Sequence, residues 1–132
     1  MSADFFDTNV LIYLASADAA KADRAEHLVA QGGMISVQVL NEVANVARKK
    51  MGFTWHEVHT FLAPIRACLE IVPLSIEVHE TGLALTAKYS LSLYDAMIAA
   101  AALQASCPRL WSEDIQHGFT LEGQVLIQNP FR

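Results

Sequence analysis

Eight consecutive residues, Ala96-Met97-Ile98-Ala99-Ala100-Ala101-Ala102-Leu103, carry no polar side chain, and they stand between Asp95 and Gln104. Read as a helix, this segment is apolar all round, and such a helix is a buried one. The rest of the chain must supply layers to cover it. The run is too short to span a bilayer, and no other apolar stretch is long enough and free enough of charge to do so. Ala99 and Ala102 have minimal side chains, so the helix can press close to a strand.

The cover comes from segments that alternate between strand and helix. Phe5-Phe6 reads as a short strand, and Thr8 can cap a helix over 9–15. An amphipathic helix follows over 19–31, ended by Gly32-Gly33. A strand over 34–36 leads to Ser36 as a cap and a helix over 37–50, ended by Gly52. Thr54 and Glu57 stand at capping-box spacing for a helix over 55–67, which Pro64 is expected to bend or divide. A third strand over 69–74 precedes a helix over 75–88. Ser92 and Asp95, also at capping-box spacing, open the apolar helix. Strands over 109–112 and 125–127 close the chain. No repeat, low-complexity tract or linker interrupts this order. The 132 residues therefore make one domain, 1–132, of the α/β class, with a mostly parallel sheet of four to five strands and helices on both faces.

Four acids fall where such a fold does chemistry. Ligands of open α/β sheets bind at the rim beyond the carboxyl ends of the strands. Asp7 ends the first strand, in Asp7-Thr8-Asn9, and with Thr8 available as the cap it is free for another task. A plain turn or cap remains its alternative. Asp114 follows the fourth strand on the same rim, in Trp111-Ser112-Glu113-Asp114, where adjacent acids are usually solvated. Asp95 enters the apolar helix and needs compensation, from free N–H groups of the first turn or from a cation. A capping box would account for it without function. Glu42 lies on a polar row with Gln38, Asn45 and Lys49, and the helix pattern alone favours a solvated side chain. Glu113 is read as pointing into solvent and Asp4 as a solvated strand end.

Oxygen donors without His or Cys suit Mg²⁺ or Mn²⁺ better than zinc. His56 and His59 read as surface residues and His117 as a loop residue. Cys68 and Cys107 have neither metal nor redox spacing and read as packed thiols of a reducing cytosol. No export signal is visible, so the expected location is cytoplasmic. The chain has 14 Asp and Glu against 9 Lys and Arg, a formal net charge of −5. Setting the four candidate ligands aside leaves ten acids against nine bases, so net acidity does not exclude a nucleic acid. Binding would run through metal ions and a local basic patch, for which Arg48, Lys49 and Lys50 are the only three-residue run.

With these motifs the chain resembles the PIN-domain nucleases, and among them the VapC-type toxins of toxin–antitoxin pairs. The resemblance rests on Phe6-Asp7-Thr8-Asn9-Val10-Leu11-Ile12, Ser36-Val37-Gln38-Val39-Leu40-Asn41-Glu42, Ser92-Leu93-Tyr94-Asp95-Ala96 and Ser112-Glu113-Asp114. Each piece is unspecific; four in order at family spacing are specific. The resemblance implies a three-layer α/β/α sandwich and a metal-dependent endoribonuclease. Asp7, Glu42, Asp95 and Asp114 would hold one or two Mg²⁺ or Mn²⁺ ions that activate a water against the RNA backbone. Thr8, Asn9, Ser112 and Lys49 would position substrate or water. Where some PIN domains have a further acid, Gln116 stands, so a four-acid site is implied. Further implications are a homodimer and a cognate antitoxin whose C-terminal segment crosses an apolar groove near the acids. Two other readings compete. A receiver-like Mg²⁺-binding signalling module also clusters acids at strand ends, but it needs a Lys near the last strand and none follows Lys88. A catalytically idle PIN-like binding protein would keep the fold without the reaction.

Overall fold

The computed structural model describes residues 3–132. Its strands are β1 (Phe5–Phe6), β2 (Met34–Ser36), β3 (Glu70–Val72), β4 (Arg109–Trp111), β5 (Thr120–Leu121) and β6 (Val125–Gln128). They form one sheet in the order β3-β2-β1-β4-β6-β5, parallel throughout except for the β5–β6 pair. The helices are α1 (Thr8–Ile12), α2 (Ala19–Ala30), α3 (Val37–Lys49), α4 (Trp55–Cys68), α5 (Ile76–Tyr89) and α6 (Leu93–Gln104), with a 3-10 turn over Tyr13–Ala15. The result is the expected α/β sandwich.

The apolar segment is the centre of it. Every residue from Ala96 to Ala102 in α6 is buried. Helix α6 packs on β2, β4, α3 and α5. The two-residue β1 lies between β2 and β4, and both its phenylalanines are buried, so the middle of the sheet is apolar on both faces. Burying one such side chain stabilises the fold by about 1.5–3 kcal/mol.

Several details depart from the sequence reading. The sheet has six strands because Thr120–Leu121 pairs antiparallel to β6; two residues are too few to carry a period-2 pattern. Helix α4 runs unbroken through Pro64. Pro64 and Thr60 are both exposed, so the Thr60 carbonyl that loses its helical partner is left to water. Helix α1 gives way to the 3-10 turn at Tyr13, and its cap is Asp7 rather than Thr8. Cys68 is exposed and only Cys107 is packed. Asp4 is half-buried and accepts a hydrogen bond from Trp111 Nε1 at 3.0 Å, which ties β1 to β4.

Candidate active site

The strand ends build the site. Strands β1 and β4 run side by side, Phe6 opposite Trp111, so the residues that follow them emerge together at one rim. The backbone N–H of Asp7 donates to the Trp111 carbonyl at 2.9 Å, and that of Ser112 to the Gln128 carbonyl at 2.9 Å. Both side chains are thereby fixed at the sheet edge and buried. Ser112 Oγ donates to Asp7 Oδ2 at 2.6 Å and accepts from the N–H groups of Asp114 and Ile115. One hydroxyl thus holds the first acid and folds the loop that carries the last one.

Asp7 Oδ1 accepts from the Thr8 N–H at 2.7 Å, and Oδ2 also accepts from Asn9 Nδ2 at 3.1 Å. The same Asn9 amide donates to Asp114 Oδ2 at 3.1 Å, while its Oδ1 accepts from the Glu113 N–H at 3.1 Å. Asn9 therefore bridges two acids 107 positions apart, as well as shaping the turn. Thr8, freed from capping, donates from Oγ1 to Glu42 Oε1 at 3.3 Å, and Gln38 donates to Glu42 Oε2 at 3.0 Å. The Gln38–Glu42 pair is the i, i+4 geometry of a helix face. At α6, Ser92 Oγ accepts from the Asp95 N–H at 3.3 Å. The return bond that would make a capping box is formed in α4, by Thr54 and Glu57, but not in α6. The Asp95 carboxylate is left to face the cavity.

Asp7, Glu42, Asp95 and Asp114 all line one cavity of about 330 Å³, together with Thr8, Asn9, Ile12, Tyr13, Val46 and Glu113. No Lys, Arg or His is among those lining residues. Burial pushes the Asp7 carboxyl up to about 7, against the pull of the Ser112 and Thr8 hydrogen bonds, and the charges of Asp95 and Glu42 add to the rise. Burial also raises Asp95, opposed by the Ser92 hydroxyl and reinforced by the charge of Asp114. A buried carboxylate with no cationic partner and further acids beside it has the chemistry of a hard-cation site. The spacing is looser than a finished one: among the described residues, no three His, Cys, Asp or Glu side chains are drawn together closely enough to hold an ion. Glu42 and Asp95 are half-buried and Asp114 is exposed, so these three have room to change rotamer, whereas Asp7 is fixed.

Three of the four residues expected to position substrate or water, Thr8, Asn9 and Ser112, bond directly to the acids. Lys49 is exposed at the end of α3 and lies outside the cavity lining. His117 is held by structure, its Nδ1 accepting from the Asn129 N–H at 2.9 Å. Glu113 does not point into solvent. It is half-buried, accepts from Tyr13 Oη at 2.7 Å and pairs with Lys21 at 3.1 Å. Nothing in local sequence pattern links Tyr13, Lys21 and Glu113, which meet across about a hundred residues. Gln38 was visible as a member of the Glu42 row, and the i, i+4 spacing is the signal that identifies it.

The PIN domain model matches residues 5–118, and the chain belongs to the PIN-domain family. Its fold is shared with a toxin–antitoxin complex from Klebsiella pneumoniae, at 26% identity and a TM-score of 0.73 over 96% of this chain and 97% of that one. It is shared also with VapC20 of Mycobacterium tuberculosis, a sarcin–ricin-loop-cleaving toxin, at 20% identity and a TM-score of 0.69 over 84% and 89% of the two chains. DNA-bound VapBC from Salmonella typhimurium superimposes with a TM-score of 0.73 at 17% identity, over 98% of this chain and 99% of that one. No curated protein sequence matches it. The resemblance to PIN domains is borne out. No helix among the described residues is long and apolar enough to cross a membrane.

Proposed function

We propose that the protein is an endoribonuclease dependent on Mg²⁺ or Mn²⁺ and the toxin of a toxin–antitoxin pair. The observation that carries this reading is the convergence of Asp7, Glu42, Asp95 and Asp114, from four separate elements, on one cavity without a cation of its own. These carboxylates would hold the metal. When bound, the ion supplies a lowered water pKa and stabilises charge on the reacting phosphate. The chain's own contribution is placement. Asp7 is immobilised by Ser112, Thr8 and Asn9 and provides the fixed reference for the site. Asn9, which donates to both carboxylates, ties Asp114 to it. Gln38 and Thr8 steer Glu42, and the buried α6 anchors Asp95. Lys49 would contact an RNA phosphate just outside the cavity.

The proposed antitoxin site is the apolar cleft of about 850 Å³ lined by residues of α2 and α4 with Leu14 and Phe53. It adjoins the acids, since Leu14 lines the cleft and its neighbour Tyr13 lines the acid cavity. The solved relatives include toxin–antitoxin complexes, which favours a protein partner here. A second copy of the chain is proposed on the hollow formed by Leu74, Ile76, Leu93, Tyr94 and Met97.

The test is cleavage of structured and single-stranded RNAs by the purified chain with Mg²⁺ or Mn²⁺. Cleavage should cease with EDTA. It should fall about a hundredfold or more in Asp7→Asn, since even outer partners of metal ligands are worth 10–100-fold. Cleavage that survives both changes overturns the reading. Mg²⁺ binding without cleavage of any RNA would identify an idle binding protein instead.

A further inference from the structure

The chain is acidic, yet residues 43–56 hold no Asp or Glu and three of its nine Lys and Arg, namely Arg48, Lys49 and Lys50. In the same stretch Trp55, the first residue of α4, is 62% exposed. A tryptophan left that open to water is a feature the core does not explain. Arg48 lies over the ring, its guanidinium 5.2 Å from the centroid, and is held there by donating from Nη1 to the Phe53 carbonyl at 3.1 Å. Arg48 thus covers the indole from one side and leaves the rest accessible.

Helical geometry connects this patch to the acids. Glu42 and Val46 line the acid cavity. Lys49 and Lys50 follow on the same helix row, at i+3 and i+4 from Val46. The axial rise from Glu42 to Lys49 is about 10 Å. A strand whose phosphate sits in the acid cavity would pass along this row, over the lysines, to Trp55. An exposed aromatic ring backed by an arginine, with two lysines following that arginine in the chain, is suited to single-stranded nucleic acid: bases stack on the ring and phosphates meet the cations.

We propose that Trp55 and Arg48 form a stacking platform for an unpaired base of the RNA, with Lys49 and Lys50 as its phosphate contacts, beside the cleavage centre. The inference deepens the ribonuclease reading and rests on it for the identity of the strand. It assigns the substrate class at this position as single-stranded RNA. Base stacking tolerates any sequence, so the platform grips an unpaired segment without choosing bases.

The experiment measures binding of the full chain to a 12-nucleotide single-stranded RNA of mixed sequence in EDTA, where the acids repel phosphate and the platform carries the contact. Indole fluorescence reports stacking, because the other tryptophan, Trp111, is buried. Trp55→Ala should weaken binding about tenfold and abolish the quench on adding RNA. Trp55→Phe, which keeps an aromatic face, should bind within about threefold of the parent while losing the quench. Replacing Lys49 and Lys50 by Ala together should reduce the slope of log affinity against log salt by about 1.4. A duplex of the same length should leave the fluorescence unchanged. Unaltered affinity in Trp55→Ala, or equal quenching by the duplex, overturns the platform. Cleavage with Mg²⁺ separates the two readings. A parent that cleaves but shows no dependence on Trp55 leaves the ribonuclease and refutes the platform. A parent that binds through Trp55 but never cleaves does the reverse.

Discussion

Asp7 is a carboxylate that the fold buries without a countercharge, and its protonation must be coupled to stability. Its folded pKa is about 7, against 3.8 when unperturbed. A raised folded pKa means that the folded state holds the proton more tightly. The associated stability is complete below about pH 4 and is lost as the pH rises through 7. Between pH 5 and pH 8 the metal-free protein should therefore lose about 2–3 kcal/mol on this account. Asp7→Asn cannot titrate and should lack that component. Every other ionisable group is common to both proteins, so the difference between them reports on Asp7. Urea unfolding in EDTA at both pH values measures it, and equal pH slopes would refute it. Added Mg²⁺ should stabilise the parent at pH 8 and leave the variant almost unmoved, because a ligand that binds only the folded state stabilises by mass action.

The elements are positioned by a few backbone constraints, of which the β1–β2 junction is the tightest. Gly33 has φ +152°, and a Cβ there would lie 2.6 Å from Phe6 Cε2 and 2.7 Å from the Asp4 carbonyl oxygen. Met34 N–H donates to that same carbonyl at 2.9 Å, so the backbone cannot move aside without breaking the pairing. Gly33→Ala should cost about 2 kcal/mol or more, read as a lower urea midpoint at unchanged slope. Elements of this kind were readable from the sequence where pattern and cap agreed. Ser36 and Thr54 cap α3 and α4 as expected, Ser75 caps α5 instead of opening it, and Gly32-Gly33 follows α2. The readings failed where a long-range partner decides. Thr8 and Asp7 were both fit to cap α1. Asp7 does so because the neighbouring strand fixes it, and that turns Thr8 toward Glu42. Asp95 matched a capping box by spacing alone, but its carboxylate turns to the acid cavity instead. Glu113 leaves the solvent for the same reason: Tyr13 and Lys21 reach it from the other end of the chain.

Across the whole molecule the apolar composition does not all go to the core. Most of it fills the core around α6, but Leu74, Ile76, Leu93 and Tyr94 remain 42–63% exposed and line one hollow at the starts of α5 and α6. Exposed apolar groups gathered in one patch mark a contact surface, whereas scattered ones do not. Gln38 lines the same hollow and donates to Glu42, so whatever covers the hollow lies one hydrogen bond from the acid cavity. The patch suits a second copy of the chain, because a two-fold contact needs only one self-complementary surface. Such a dimer would also dry the outer side of the Gln38–Glu42 pair and strengthen it. Ile76 is the most exposed of the group, at 63%, and packs little within its own chain. Ile76→Glu should therefore split the dimer without lowering the stability of the fold. Light scattering on a sizing column should give twice the 14.5 kDa chain mass for the parent and the single mass for the variant. Thermal unfolding at low protein concentration should coincide for the two. A parent that is monomeric at micromolar concentration, or a variant that still doubles its mass, would place the contact elsewhere and leave this hollow without a partner copy.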